Sequence, residues 1–484
     1  MLAVTPLRQL AGFLPVILIV LVVGARDLDG RFYGLIAAVV ALVLAGIGRW
    51  FTTRYRVTDE RVELRSGLLF RQRRSVPRDR IRTVDLTAGP VHRLFGLSVL
   101  NIGTGQQVQG TEAGELSLDA VSATEADRLR QQLLERAAVA QAEEDTPPDQ
   151  EIARLDWSWL RYAPLTTSSL VAVGAVAGAA GQFVGELGVD PTDVEAINGA
   201  REQLDTAPLW LGATVFAVFV LIVAVLGAIL IFVEVWWGFR LVREAGGTLR
   251  VRRGALTTRS ISLEERRLRG VEISEPLLLR AGRGARLAAI ATGLGGSQGE
   301  GRGTLLPPAP VVETHRVAAA VLAEAPAPTT TPLRRHPAAA LRRRLVRGAL
   351  PAPVAALLWL LAVPGWLPWV AVALLPLTLL LAVDAYRNLG HGLAQRYLVT
   401  RHGAGVRRCA ALQRSGVIGW TVSQSLFQRR AGLVTLVATT AAGSGGYAVY
   451  DVAISDGLAV AEQAVPGLLG PFLTGPAHPV EHPD

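Results

Sequence analysis

The sequence predicts an α+β membrane protein: three transmembrane helical hairpins, each followed by a small β-barrel or sandwich domain that ends in a helix. Three observations carry that prediction. Apolar residues are gathered in paired blocks, arginines crowd the flanks of the blocks, and a strand-patterned segment recurs after each pair. Half of the 484 residues are hydrophobic although 18% are charged and only 6% are aromatic, so the apolar surface comes mainly from Ala, Val, Leu and Gly, the materials of packed membrane helices.

Crossing a hydrocarbon core of ~30 Å takes about 20 apolar residues. Six segments approach that length: Leu10 to Gly24 with Tyr33 to Phe51, Ala163 to Gly185 with Leu209 to Val235, and Ala349 to Val363 with Trp366 to Val383. The first could be mistaken for a signal peptide, but a second span follows almost at once and the hairpin recurs twice, so an anchor is expected. Flanking charge sets the orientation. Arg49, Arg54, Arg154, Arg161, Arg240, Arg243, Arg342, Arg343, Arg344, Arg347 and Arg387 lie at the open ends of the hairpins, whereas the 186–208 tip is acidic. The tips are therefore expected outside, with both termini and the β domains in the cytoplasm. Glu234 and Asp384 fall at helix ends near the interface, where snorkelling or pairing with Arg240 or Arg387 costs little, so no transport role is expected of them.

The soluble segment is a repeat. Copy one runs from Arg54-Tyr55-Arg56-Val57-Thr58 through Gly67-Leu68-Leu69, Val76-Pro77-Arg78 and Pro90-Val91-His92-Arg93-Leu94-Phe95-Gly96-Leu97. Copy two carries Arg253-Gly254-Ala255-Leu256 and Glu275-Pro276, then Ala281-Gly282-Arg283-Gly284 where a Gly-Leu pair is expected. Copy three opens on Arg396-Tyr397-Leu398-Val399-Thr400, has what reads as a shortened hairpin at 403–409, and ends on Gly432-Leu433. Alternation of apolar and polar residues in 55–58, 61–65 and 80–86 predicts half-buried strands. Ser122-Ala123-Thr124-Glu125 is a capping box that opens a closing helix; Val311 to Leu322 and Leu458 to Ala464 take that place in the later copies.

These motifs resemble the bacterial pleckstrin-homology-like domain once catalogued as domain of unknown function 304, and the resemblance extends over essentially the whole chain. It implies a PH-like fold of seven strands capped by a helix, and no known reaction. The residues that carry it are Tyr55, Thr58, Gly67, Pro77, Pro90, Gly96, Leu97, Tyr397, Thr400, Gly432 and Leu433. The expected order is a transmembrane hairpin at 1–51 and a PH-like domain at 52–140, then a linker at 141–160, a hairpin at 161–236 and a divergent PH-like domain at 237–323. A linker at 324–347 (extended and mobile over 325–332), a hairpin at 348–386, a PH-like domain at 387–465 and an unstructured tail at 466–484 complete it.

Chemistry is sparse. Cys409 is the single cysteine, which rules out an intrachain disulfide and reads as a small apolar side chain. The seven histidines have no metal-ligand spacing, and His92 reads as a surface or turn residue. The glycine clusters at 103–105 and 443–446 lack a phosphate-binding lysine and read as hairpin loops. No cofactor, metal or catalytic residue is expected. All 49 basic residues are arginines, giving a net charge of +9. Arg71, Arg73, Arg74, Arg78, Arg252, Arg253, Arg407 and Arg408 are the candidate contacts to an anionic surface, each worth ~1 kcal/mol near a charged leaflet; the same charges would also serve simply to hold these segments inside. Nucleic acid is not expected, since the basic face lacks interleaved aromatics. The expectation is a non-catalytic, membrane-anchored scaffold that binds a protein partner or itself, with anionic phospholipid as a further contact. An accessory subunit of an export or envelope-stress complex is the alternative.

Overall fold

The computed structural model describes residues 54–66, 72–77, 81–103, 115–135, 149–166, 209–293, 303–361 and 365–469, apart from a few single positions. Copy one comprises β1 (Arg54–Val57), β2 (Arg61–Ser66), β3 (Gln72–Pro77), β4 (Thr83–Ala88), α1 (Pro90–Leu94), β5 (Leu97–Gly103), β6 (Glu115–Ser122) and α2 (Ala123–Glu135). Next come β7 (Gln150–Arg154), a 3-10 helix at Trp157–Leu165, and the apolar α3 (Leu209–Trp236). Copy two follows as β8 (Arg240–Glu244), β9 (Thr248–Arg253), β10 (Thr258–Glu264), β11 (Leu268–Pro276), α4 (Leu277–Ala281), β12 (Gly284–Ala291), β13 (Thr304–Pro310) and α5 (Val311–Leu322). Then α6 (Ala338–Gly348), α7 (Pro351–Leu360) and α8 (Leu367–Arg387) lead to copy three. Copy three is β14 (Gly390–Ala394), β15 (Tyr397–His402), β16 (Val406–Gln413), β17 (Gly419–Ser423), α9 (Leu426–Arg430), β18 (Leu433–Thr439), β19 (Gly446–Ala453) and α10 (Ile454–Ala464).

Two helices among the described residues are long and apolar enough to cross a membrane, Val218–Trp236 within α3 and Leu367–Arg387. The 10–24 and 33–51 segments lie outside the described residues, as does most of 163–185. The start of the latter belongs to the 3-10 helix, capped by Asp156 and holding Tyr162 and Ala163 in the interior. Ten-residue α7 is short for a span.

The chain divides into two compact units, 1–154 with 235–268 and 292–302, and 155–234 with 269–291 and 303–484. In the first, β1-β2-β3 form one sheet, and β6-β5-β4-β10-β9-β8-β7 form a second that runs across the boundary between copies. Val62, Val84, Leu100, Ile102, Leu116 and Leu118 fill the space between the sheets of copy one, with Ala126 and Leu129 of α2 closing the end. Each such side chain contributes about 1.5–3 kcal/mol when fully buried. Ser122 accepts from the Glu125 N–H at 3.3 Å, the first half of the expected capping box. In the second unit the sheets are β13-β12-β11-β16-β15-β14 and β17-β18-β19, and Leu398, Leu412, Ala438, Tyr447 and Val460 form the core of copy three.

Strand pairing corrects the repeat alignment at three points. Tyr55 lies on β1, whereas Tyr397 starts β15, the second strand of its copy, so the two Arg-Tyr-x-Val-Thr runs are not equivalent. The hairpin of copy three is not shortened: Ser66 faces Gln72, Arg253 faces Arg259 and His402 faces Arg408, leaving five intervening residues each time. In the two hairpins that are described, a glycine is obligatory, because a Cβ would meet the Thr257 carbonyl oxygen at 2.0 Å from Gly254 and the Val406 oxygen at 1.9 Å from Gly403.

The third correction concerns the Gly-Leu motif. Gly96, Arg283 and Gly432 have φ of 63°, 57° and 64°. Each N–H donates to the carbonyl three residues back, at 3.1, 3.0 and 3.3 Å, and each carbonyl accepts from the first residue of the closing helix, at 2.9, 3.0 and 3.4 Å. Arg283, not a glycine, therefore fills the left-handed position in copy two, and counting from it places Leu277, rather than Pro276, opposite Pro90.

A left-handed L-residue costs roughly 1–2 kcal/mol, against which glycine's extra chain entropy must be set. Arg283 is exposed, so Arg283→Gly is expected to raise stability by about 0.5–1 kcal/mol, while Gly96→Ala lowers it by about 1 kcal/mol. Thermal melting of the detergent-solubilised chain checks both; a lower midpoint for Arg283→Gly would show that the arginine side chain outweighs its backbone strain.

Candidate functional site

Three of the eight arginines expected to meet an anionic surface, Arg253, Arg407 and Arg408, contact other side chains of the protein. Arg253 is buried, its guanidinium carbon 4.3 Å from the Trp236 ring centroid at the end of α3. Burial first, and the Arg259 charge second, lower its pKa to about 10. That stacking joins the apolar helix to β9. Arg407 donates through Nε to Glu275 at 3.0 Å and through a second nitrogen to the other carboxylate oxygen, while Arg408 approaches Glu272 at 3.9 Å. Glu275 and Glu272 lie on β11, the strand hydrogen-bonded to β16. Arg252 is exposed, Arg73 and Arg74 belong to β3, and Arg71 and Arg78 lie outside the described residues.

The family-motif residues that are described fall on strands, in turns and at the start of a helix. Pro90 opens α1, and Leu97 and Leu433 are buried at the starts of β5 and β18. Thr58 Oγ1 donates to the Arg61 carbonyl at 2.9 Å across the first hairpin, and Pro77 ends β3 opposite Arg61. Tyr397 and Thr400 are buried on β15, and Gly67 lies outside the described residues. His92, expected as a surface or turn residue, lies in the short α1 and is buried.

A shallow cleft of about 270 Å³ lies in the first unit between Arg93 of α1, Asp127 of α2, and Arg250 and Arg252 of β9. Asp127 and Arg250 of its lining belong to an ion-pair network that extends to Arg130. Arg130, nearly fully buried, donates to Glu244 at 3.0 Å and Ser262 at 3.2 Å; Arg250 reaches Ser260 at 3.0 Å, Glu244 at 3.3 Å and Asp127 at 3.4 Å. The closing helix of copy one is thereby fixed to the sheet of copy two by charge-assisted bonds.

The second unit holds a denser network, centred on Asp451, 2% exposed and in a left-handed conformation at φ 54°. Its carboxylate accepts from Arg344 at 3.0 Å, from Gln428 at 2.9 Å and from Arg343. Two arginines expected to act only as topology signals on the membrane flank are thus ion-paired inside the protein. His336 Nδ1 lies 3.2 Å from the Asp451 carbonyl oxygen, and its Nε2 lies 2.9 Å from His391 Nδ1. The bonding pattern makes His336 Nδ1 a donor, so its Nε2 accepts from His391 and the buried His391 Nε2 faces no partner among the described residues. Tyr386 of α8 donates to the His336 carbonyl at 3.1 Å. The 325–332 stretch, expected to be mobile, is packed nearby, with Pro328 and Thr329 buried and Thr329 Oγ1 at 2.7 Å from His315 Nδ1. A carboxylate enclosed by three donors is a fastening, not a group open to substrate.

At the end of α8, Asp384 pairs with Arg280 of α4 at 2.5 Å, not with Arg387, and accepts from the Gly405 N–H at 3.2 Å. Asn388 donates to the Gly403 carbonyl at 2.9 Å. Cys409 is buried on β16, its thiol pushed up to about 11 by burial. Sequence reasoning missed the Asp451 network. The signal available was a lone acid inside the apolar strand pattern Tyr447-Ala448-Val449-Tyr450-Asp451-Val452, after 66 acid-free residues from 385 to 450.

Comparison with known proteins agrees with this architecture. The bacterial PH domain family matches three times, at residues 7–137, 204–325 and 349–464. The chain is similar to the UPF0699 transmembrane protein YdbT of Bacillus subtilis (strain 168), 24% identical over 435 residues that cover 84% of each chain. No solved structure matches it.

The histidine chain makes stability depend on pH. Burial first, then His336 and Arg334, lower the His391 pKa from 6.5 to about 4, against a smaller opposing pull from Asp456. His336 and His402 are lowered in the same direction by burial. The unfolded chain therefore takes up protons between pH 6.5 and 4 that the folded chain refuses, and stability falls as pH is lowered through that window. The expected loss attributable to His391 is of order 1–3 kcal/mol. Melting the chain at pH 7 and pH 4.5 checks it: His391→Asn should shrink the difference between the two, and an unchanged difference would assign the proton uptake elsewhere.

Proposed function

The chain belongs to the bacterial PH domain family, and on that premise we propose that it is a membrane-anchored, non-catalytic scaffold whose three PH-like domains bind protein on the cytoplasmic side, with anionic lipid a secondary contact. The chain is a membrane protein with repeated bacterial PH domains; the multi-pass topology and cytoplasmic placement rest on arginine at the open ends of the apolar pairs and acid in the 186–208 tip.

The observation that carries the protein-binding reading is the use made of strand edges and arginines. Successive copies join backbone to backbone through β4–β10 and β11–β16. Arg253, Arg407 and Arg408, which a lipid-reading surface would keep free, face Trp236, Glu275 and Glu272 instead. A side chain held by a neighbouring carboxylate offers little net charge to a phosphate.

Purification from native membranes in mild detergent, with bound proteins and phospholipids quantified together, tests this. The scaffold reading expects bound protein in near-stoichiometric amount, unchanged when Arg71, Arg73, Arg74 and Arg78 are all replaced by Gln. Recovery of anionic phospholipid alone, lost in the fourfold variant, would make the chain a lipid-reading module.

A further inference from the structure

We propose that copies of this chain join head to tail, the open edge of β17 in one copy pairing antiparallel with the open edge of β3 in the next. The inference rests on the scaffold reading for its setting and deepens it by naming a second copy as a partner.

The two internal junctions follow one rule: the fourth strand of a copy pairs with the third strand of the copy that follows. They also share one register. Ala88 faces Thr258 and Glu275 faces Arg407. Ala88 and Glu275 each lie eight residues before the left-handed residue of their copy, Gly96 and Arg283. Thr258 and Arg407 each lie four residues after the hairpin glycine, Gly254 and Gly403.

Applied once more, the rule takes the fourth strand of copy three and the third strand of copy one, and among the described residues each has one edge without a strand neighbour. Among the described residues β17 pairs only with β18, and β3 only with β2. Eight residues before Gly432 is Gln424, and four after Gly67 is Arg71. The same register therefore sets Ser423 opposite Gln72, Val422 opposite Arg73, Thr421 opposite Arg74, Trp420 opposite Ser75 and Gly419 opposite Val76.

A second observation agrees. The arginine three residues before the left-handed position recurs as Arg93, Arg280 and Arg429. Arg93 donates to the Ala255 carbonyl in the strand-two to strand-three hairpin of the following copy. Arg280 donates to Asp384 and Asn388, which bind the matching hairpin of copy three at Gly405 and Gly403. Arg429 is exposed, and among the described residues its side chain has no acceptor. Natural edge strands are commonly blunted with charge or proline. Pro77 and the arginines of β3 fit that description, but β17 is uncharged, with Val422 49% and flanking Ile418 65% exposed. Basic third strands are also accepted at the closed junctions, where Arg259 faces Thr87 and Arg408 faces Ser274. A contact between two different surfaces of identical chains propagates until it closes or runs on as a row.

Cysteine cross-linking of the full-length chain in its own membranes tests this, with buried Cys409 as the unreactive background. Two differently tagged copies, one Val422→Cys and one Arg73→Cys, are co-expressed and oxidised. The expected product is a covalent dimer carrying both tags, with at least tenfold less when Arg74→Cys replaces Arg73→Cys, since a one-residue slip turns the thiol to the other face. Adding Arg429→Glu to the first copy should lower the yield at least fivefold. No mixed dimer, equal yield from the shifted pair, or dimers of Val422→Cys with itself would each overturn the proposal. If another protein still co-purifies while the mixed dimer is absent, self-pairing fails and the scaffold reading survives; if neither forms, both fail.

Discussion

Backbone pairing between the fourth strand of one copy and the third strand of the next is the constraint on which the rest of this molecule depends. A PH-like sandwich built from two small sheets has open edges, and an open edge exposes a row of N–H and C=O groups that water or another strand must satisfy. Here β4 and β11 find β10 and β16, and two sheets become continuous across copy boundaries. Much follows from that choice. Glu275 and Arg407 become direct cross-strand neighbours, and Arg130 and Arg250 are drawn onto Glu244. The division of the chain into compact units cuts through copy two rather than between copies, because its two sheets belong to different neighbours.

The fold was legible where local pattern decides structure. Strand alternation over 61–65 became β2, the capping box at Ser122 became the start of α2, and 311–322 became α5 to the residue. Two of the six apolar runs, 209–235 and 366–383, became helices long and apolar enough to span a bilayer. Legibility failed where two different residues satisfy one backbone requirement. A Gly-Leu search cannot find Arg283, since the left-handed position needs a carbonyl and an N–H in the right places and tolerates a side chain at a cost of roughly 1–2 kcal/mol. It failed too where identical residues serve different strands: Tyr55 and Tyr397 share a motif by sequence and sit one strand apart.

The arginines show a third kind of limit. Their number and position in the sequence satisfy both a topological and a ligand-binding account, and neither predicts that Arg253 lies over Trp236 or that Arg343 and Arg344 share one carboxylate. Charge composition records which side of a membrane a segment prefers. It does not record which charges are already neutralised, because that depends on acids more than a hundred residues away, as Asp451 is from Arg343.

The fastenings at the end of α8 tie the β domains to a helix long and apolar enough to cross a bilayer. Asp384 holds Arg280 of copy two and the Gly405 N–H of copy three, Tyr386 holds the His336 carbonyl, and Asn388, just past the helix end, holds Gly403, all within five residues. A helix so gripped on several sides cannot swivel about its long axis without breaking charge-assisted bonds in two copies. Spanning helices answer a thinner or thicker bilayer by tilting. In this chain α8 cannot change its tilt independently of the hairpin that joins β15 and β16, because Asp384 and Asn388 bond to that hairpin at Gly405 and Gly403.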